Sequence, residues 1–345
     1  MSARPKVAVL GTGSLGKEHA RIYAELAKAG PAEFVGVFDV DNGAARAQAS
    51  KHGVRAFTSV AEAAAASDAL SVVTPTTTHF ALAQELLILG KHVLVEKPMT
   101  DNAAQAAALV ALAQSRGAVL QVGHVERFNP VFSYLEQVAT DPRFIECHRL
   151  SPFPARSTDI GVVLDLMIHD LDVVLAFVKS PLVAVDAVGI PVLSTSEDIA
   201  NARLRFANGC VANLTASRIS PERLRKIRVF SGGGAAKETS YISLDYRAQE
   251  GFIYRLARDG ESESSLFKKL LASKDSSLVS EFGGKRIVRE PVPITKEEPL
   301  KLELAHFIQC VAERQTPKVS GAQAKAALDV AFEITRQIAA AAPPA

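Results

Sequence analysis

The chain has 345 residues, somewhat more than two domains of the usual ~150. With 48% hydrophobic and 22% charged residues it can build sizeable cores, which excludes a compositionally disordered chain. Thirty-nine Lys and Arg against 37 Asp and Glu leave a formal +2, so there is no bulk field to hold a polyanion and no nucleic-acid partner is expected.

The basic residues Arg4 and Lys6 are followed by an apolar run, Val7–Leu10, that is too short for a signal peptide. The longest apolar stretch, Val162–Val178, contains Asp165, His169, Asp170 and Asp172, which a membrane span would have to bury. A cytoplasmic protein with no membrane partner is expected. Cys147, Cys210 and Cys310 are odd in number and form no Cys-x-x-Cys pair, against both a disulfide framework and a structural zinc. They read as small buried hydrophobes.

From Lys6 to Gly123, β-branched runs alternate with Ala-rich helical stretches. The expected strands are Lys6–Leu10, Phe34–Phe38, Arg55–Phe57, Leu70–Val73, Val93–Val95 and Val119–Val122. Ser59-Val60-Ala61-Glu62 reads as a capping box, and Gly90 and Gly117 stand where left-handed helix terminators belong. Nearly continuous apolar strands separated by helices specify a parallel sheet covered on both faces, an α/β doubly wound domain.

Its first turn is Gly11-Thr12-Gly13-Ser14-Leu15-Gly16, directly after the first strand and directly before a helix. The first glycine turns sharply, the second admits a pyrophosphate to the backbone, and the third lets helix and strand pack closely. The helix N-terminus then faces the phosphates with its N–H groups and the positive end of its dipole. Asp39 ends the second strand 23 residues beyond Gly16, near the spacing of a ribose-binding acid. A carboxylate there accepts from ribose hydroxyls and repels a 2′-phosphate, which favours NAD over NADP. Asp41 is a neighbouring carboxylate that could share the role.

Two more stretches close parallel strands at the edge where such sheets bind ligands: Thr74-Pro75-Thr76-Thr77-Thr78-His79 and Glu96-Lys97-Pro98. With the glycine turn they resemble the glucose-fructose oxidoreductase / inositol dehydrogenase / MocA family, and the resemblance runs over most of the chain. It implies a Rossmann domain over residues 1–123 and a substrate-binding and oligomerisation domain over 124–345, whose C-terminal helix is free to pack back on the first. It also implies that Lys97 reaches the reacting hydroxyl, while Glu96 and Pro98 shape the turn beside the nicotinamide, commonly through a cis Lys97–Pro98 bond. The cofactor contacts expected are Gly11, Thr12, Gly13, Ser14, Leu15, Gly16, Asp39, Thr74, Pro75, Thr76, His79, Glu96 and Lys97. His79 either joins them or caps the following helix. Independently, an ammonium at Lys97 suits stabilisation of an alkoxide that develops as hydride leaves.

After Gly123 the pattern changes, and Arg127-Phe128-Asn129-Pro130 matches the family element that opens the second domain. Asp165, His169 and Asp172 are spaced to share one face of a helix running from about Val162 to Val178, and Asp170 points ~100° away. A carboxylate beside a His can fix the ring, and imidazole suits proton acceptance near neutral pH. The three match the family pattern Asp-x-Gly-x-His-x-x-Asp, with Met167 where the family has Gly. They imply a catalytic set of Lys97, Asp165 and His169. Either His169 is the base, or Lys97 is if burial lowers its pKa strongly. Two ligands make a poor zinc site, so no metal is expected.

Downstream, Ala202–Leu214 alternates around Asn208-Gly209, a hairpin signal with a type I′ turn. Further alternating runs at Leu224–Phe230, Tyr241–Asp245 and Arg286–Val292 specify an α+β domain with a mainly antiparallel sheet. One face of it rests on helices and the other, as is common in the family, lies on a second subunit in a homo-oligomer, a dimer or tetramer. Leu300–Glu313 and Ala322–Ile338 read as helices, Ala339–Ala345 as fraying, and Ser231–Gly234 and Glu261–Ser265 as loops. Arg218, Arg223, Arg225, Lys226 and Arg228 form a basic segment. With Arg149 and Arg156 they offer forks for an anionic substrate. These segments resemble the family branch that oxidises the 3-hydroxyl of UDP-N-acetylglucosamine. The substrate contacts expected are Lys97, Arg127, Arg156, Asp165, His169, Arg218 and Arg225. The alternatives are a dehydrogenase of a neutral sugar or cyclitol, which has no use for the arginines, and a non-catalytic NAD-binding regulator, which has no use for Lys97, Asp165 and His169.

Overall fold

A computed structural model describes residues 4–153, 160–232, 239–257, 277–282 and 285–341. Two compact units emerge, Met1–Phe128 with Glu298–Phe332, and Asn129–Glu297 with Glu333–Ala345. The first unit therefore continues five residues past the expected boundary and regains a later segment of the chain. Among the described residues no helix is long and apolar enough to cross a membrane.

In the first unit β1 (Lys6–Leu10), β2 (Glu33–Phe38), β3 (Arg55–Ala56), β4 (Ala69–Val72), β5 (His92–Glu96) and β6 (Leu120–Gly123) are joined by α1 (Ser14–Ala29), α2 (Asn42–His52), α3 (Val60–Ala66), α4 (Thr76–Ile88) and α5 (Ala103–Arg116). All strands are parallel, in the order β3-β2-β1-β4-β5-β6. The order reverses beside β1, and ligands of open α/β sheets bind at that switch, beyond the strand C-termini. Local chemistry sets the elements as expected. Asp41, Ser59 and Asn102 cap α2, α3 and α5 through their side chains, and Gly90 and Gly117 are left-handed. The capping box at Ser59 is half formed, because the Glu62 carboxylate reaches past Ser59 to the N–H and hydroxyl of Thr58, both at 2.8 Å. A later helix, α8 (Pro299–Glu313), packs on α1: Leu304, Phe307 and Ile308 share a core with Ile22, Tyr23 and Leu26. Each such buried side chain contributes about 1.5–3 kcal/mol.

The second unit opens with α6 (Pro130–Val138) and is built on a nine-stranded sheet. Its strands are β7 (Pro142–Leu150), β8 (Leu182–Ile190), β9 (Ile199–Phe206), β10 (Val211–Ser217), β11 (Leu224–Ser231), β12 (Ser240–Asp245), β13 (Glu250–Leu256), β14 (Ser277–Phe282) and β15 (Lys285–Pro291), in the order β14-β15-β13-β12-β11-β7-β10-β9-β8. Only β7 and β10 run parallel. Strands β7, β8, β13 and β14 were not marked by the sequence pattern. The inner residues Ile145, Leu204, Ala212, Leu214, Ile227 and Val229 are buried, on the side of the sheet that α7 (Ile168–Val178) covers at β10. The hairpin at Asn208-Gly209 forms, but with a three-residue loop. Only Gly209 has positive φ (+82°), Gly209 N–H bonds to Phe206 O at 2.9 Å, and Phe206 N–H to Cys210 O at 2.9 Å. That is a type I turn closed by a left-handed glycine, not type I′, which needs positive φ at Asn208 as well. The last helix, α9 (Gly321–Ala341), stays regular through Ala339–Ala341, where fraying was expected.

Candidate active site

The glycine turn joins β1 to α1 at the switch point. Gly11 has φ +92°, and a Cβ there would collide with the carbonyl of Val73 after β4. A Cβ on Gly16 would collide with the carbonyl of Gly11, so helix and turn touch because neither carries a side chain. Gly13 differs. A Cβ on it would meet nothing within 4 Å, and it stands exposed with Ser14 and Leu15 at the start of a 16-residue helix whose first turn has no acidic residue and whose N-cap has no side-chain acceptor. The exposed backbone at a positive dipole end fits a dinucleotide's pyrophosphate.

Asp39 completes that fit. Its Oδ2 accepts from Thr12 N–H at 2.6 Å and the Thr12 hydroxyl at 2.8 Å, and its Oδ1 from Asp41 N–H at 3.0 Å. Burial would raise its pKa, but these donors outweigh it and keep the carboxyl below the usual range, ionised. Thr12, expected among the contacts, is buried and fixes Asp39 through its hydroxyl. Asp41, the neighbouring carboxylate, caps α2 with its Oδ1, accepting from Gly43 and Ala44 N–H at 2.8 and 3.1 Å.

At the next two strand ends, Thr74, Pro75 and Thr76 lead from β4 into α4, and Glu96 and Lys97 follow β5. The Lys97–Pro98 bond is cis, as expected. His79 is buried between two carbonyls, with Nδ1 2.9 Å from Pro98 O and Nε2 2.9 Å from Thr74 O. Burial lowers its pKa and the carbonyls offset only part of that. Its ring joins the two strand-end segments rather than pointing to a ligand. Glu96 is also buried. Its Oε1 lies 3.1 Å from His19 Nε2 on α1, its Oε2 accepts the Lys97 N–H at 3.3 Å, and a Cβ on Gly123 would collide with its carboxylate. Lys97 is half-buried beside His124, whose pKa falls to about 3 through burial, with Lys97 and Arg127 adding to the effect. His19 was missed in the sequence, where a lone His on an apolar helix face carries no signal of a partner 77 residues away.

In the second unit the segment ahead of α7 is not α-helical. Val163–Met167 forms a π-helical turn in which Ile168 N–H bonds to Val163 O. This places Leu164, Asp165 and Leu166 at the half-exposed surface, with His169 also half-exposed, whereas Asp172 is buried. The expected continuous α face through Asp165, His169 and Asp172 is therefore broken by the π turn, which shifts the phase of Asp165. Asp170 points elsewhere, into a buried two-bond pair with Arg149 on β7, 2.9 Å for each bond.

That pair removes Arg149 from the expected anion grip. Two other arginines are corrected for the same reason. Arg218 is fully buried and gives its fork to Asp198 Oδ1 (2.8 Å), Ile160 O (2.7 Å) and Ser194 Oγ (2.8 Å). Arg127 is buried in a 3₁₀ turn, Val125–Phe128, with Nη2 donating to Lys318 O at 3.2 Å. Arg225 remains in the expected set: its side chain is exposed, and β11 pairs it in register with Arg149, whose partner is the neighbour of His169. Arg156, like the loop residues 233–234 and 261–265, lies outside the described residues. Among the described residues no group of His, Cys, Asp and Glu is arranged to hold a metal.

A family model described as oxidoreductase family, NAD-binding Rossmann fold, matches residues 5–124, and one for the GFO/IDH/MocA C-terminal domain matches 137–237. The UDP-N-acetylglucosamine 3-dehydrogenase of Acidithiobacillus ferrooxidans is 35% identical over 330 residues, 95% of this chain and 96% of that protein. A solved structure of that enzyme superposes with a TM-score of 0.85 at 34% identity, covering 97% of this chain and 98% of its own. The scyllo-inositol 2-dehydrogenase (NAD(+)) of Bacillus subtilis is 25% identical over 355 residues, 97% of this chain and 94% of that protein. A levoglucosan dehydrogenase solved with NADH and L-sorbose shares the fold, with a TM-score of 0.80 at 17% identity and 97% of each chain covered.

Proposed function

Since this chain belongs to the Gfo/Idh/MocA family of NAD-binding oxidoreductases and is a dehydrogenase of sugar hydroxyls, we propose that it oxidises the 3-hydroxyl of UDP-N-acetylglucosamine to the ketone. Whole-length likeness to the A. ferrooxidans enzyme carries the choice of substrate. Bound NAD would supply the acceptor for the hydride of the carbinol carbon. His169 takes the hydroxyl proton, Lys97 donates a hydrogen bond to the same oxygen as negative charge develops, and Asp165 orients the imidazole or the sugar. General base catalysis of this kind is worth about 10²–10⁴-fold, and the remainder comes from holding the reacting atoms in register. The backbone of Gly13, Ser14 and Leu15 would hold the pyrophosphate of NAD and Asp39 its adenosine ribose, with Thr74, Pro75, Thr76 and Glu96 as further contacts. Arg225 grips the substrate's diphosphate.

The protein acts as a homo-oligomer through the open face of its large sheet. Register places Val188, Ile190, Phe230, Leu256 and Ile287 on that face, all exposed, with an aromatic row formed by Phe144, Phe230, Tyr241 and Tyr254. The face also carries the ion pairs Arg228–Glu146 and Arg205–Asp186, and its exposed apolar and aromatic side chains beside them suit a contact between subunits. The compartment is the cytoplasm, with which three free buried cysteines agree. The test is NAD reduction followed by absorbance over UDP-N-acetylglucosamine, UDP-glucose, glucose and inositol. Turnover of the nucleotide sugar is expected, lost in Lys97→Ala and His169→Ala with NAD binding kept. Turnover of inositol or glucose alone rejects the substrate in favour of the cyclitol reading that the B. subtilis relative offers.

A further inference from the structure

The segment that carries Asp165 and His169 is tied down at both ends by buried charge, and its irregular turn lies between the ties. Upstream, Arg218 holds the Ile160 carbonyl at 2.7 Å. Asp198 in turn holds Arg218, and its carboxylate also accepts the N–H groups of Val192, Leu193 and Ser194 at 2.8, 2.6 and 2.9 Å and the Ser194 hydroxyl at 2.7 Å. The adjacent Glu197 caps the same start, with its carbonyl on Val162 N–H at 2.9 Å and Oε1 on Val163 N–H at 3.2 Å. That carboxylate lies over Gly161, where a Cβ would meet it. Downstream, the Arg149–Asp170 pair fixes α7 to β7.

An α-helix is the default conformation, and a π turn holds one residue more per turn than its surroundings. A chain released at one end would settle into α geometry, and a register shift of one residue turns a side chain by ~100° and moves it about 1.5 Å along the axis. We propose that Arg218 and Arg149 are positioning residues which, by pinning Ile160 and Asp170, keep the surplus residue in the turn at Val163–Met167 and so set Asp165 relative to His169. This rests on the reading that Asp165 and His169 act on the substrate.

Arg218→Lys keeps the charge beside Asp198 but lacks a fork that can also reach Ile160 O and Ser194 Oγ. Two readouts are taken on wild type and variant: steady-state kinetics with NAD and UDP-N-acetylglucosamine, and hydrogen–deuterium exchange of the peptides spanning 160–169. The expected result is a kcat at least tenfold lower with KM within twofold, unchanged NAD affinity, and exchange at 160–169 several times faster. If the lysine variant folds poorly, Arg218→Ala assayed with added guanidinium takes its place, and recovery of kcat with guanidinium is the expected sign. A residue that merely stabilised the fold would lower the melting temperature and leave the kcat of the folded enzyme intact. The proposal is overturned by unchanged exchange at 160–169, by faster exchange with wild-type kcat, or by a raised KM with kcat intact, which would make Arg218 a substrate contact. Wild-type enzyme inert towards the nucleotide sugar sinks the function proposed above instead, and exchange then decides the clamp on its own.

Discussion

Replacing Gly13 and Gly11 in turn by alanine should separate the glycine that serves the ligand from the one that serves the fold. At Gly11 a side chain must adopt φ +92°, which costs an L-residue roughly 1–2 kcal/mol. Its Cβ also collides with the backbone of Val73, and relieving such an overlap costs typically ~1–3 kcal/mol more. Gly11→Ala therefore loses about 2–5 kcal/mol, a large share of the ~5–15 kcal/mol of a native domain. Gly13 has φ −65° and ψ −163°, open to alanine, and its new methyl meets nothing within 4 Å. A narrower unfolded ensemble then leaves stability unchanged or raises it by up to ~1 kcal/mol. The methyl does stand where a pyrophosphate must approach the N–H groups of α1, and each charge-assisted bond lost there is worth about 1.5–3 kcal/mol, so the NAD Kd should rise at least ~10-fold. Calorimetric titration with NAD and thermal melts of both variants make the test. Wild-type NAD affinity in Gly13→Ala, or a melting temperature as depressed as that of Gly11→Ala, would refute the reasoning.

Acid should destabilise the fold through two histidines kept neutral by burial, His124 with a pKa of about 3 and His92 of about 4, the latter accepting Val119 N–H on Nδ1 at 2.9 Å. Both bind a proton in the unfolded chain near pH 6.5 but not in the fold, so stability is full above ~6.5 and falls as pH drops towards 4, by up to ~1.4 kcal/mol per pH unit per group. Urea unfolding between pH 4.5 and 7 measures it, and a flat profile contradicts the assignment. Arg149→Met strands the buried Asp170 carboxylate and should cost about 3–5 kcal/mol, most of it regained in Arg149→Met/Asp170→Leu; equal losses in both, by denaturant titration, would mean that packing rather than charge matters there. Arg225→Ala should raise KM for UDP-N-acetylglucosamine at least ~10-fold with kcat little changed, as for a lost charge-assisted contact, and an unchanged KM takes Arg225 out of the substrate site.

The sequence by itself determined whatever rests on neighbours along the chain. Apolar runs broken by capped helices made a parallel sheet, Gly11 to Gly16 placed a glycine turn on its switch point, and Asn208-Gly209 marked a hairpin. The family motifs located Lys97, Asp165 and His169. Tertiary structure alone decided the fate of side chains whose partners are remote. Arg149, Arg218 and Arg225 look alike as forks for an anion, yet Asp170 and Asp198 neutralise the first two inside the protein while the third stays at the surface. A buried arginine must find a carboxylate or carbonyls, and which one it finds depends on packing, not on spacing. The π turn before α7 is likewise invisible in the helical pattern: it lies between two long-range contacts, Arg218 on Ile160 O and Arg149 on Asp170, that spacing along the chain does not reveal.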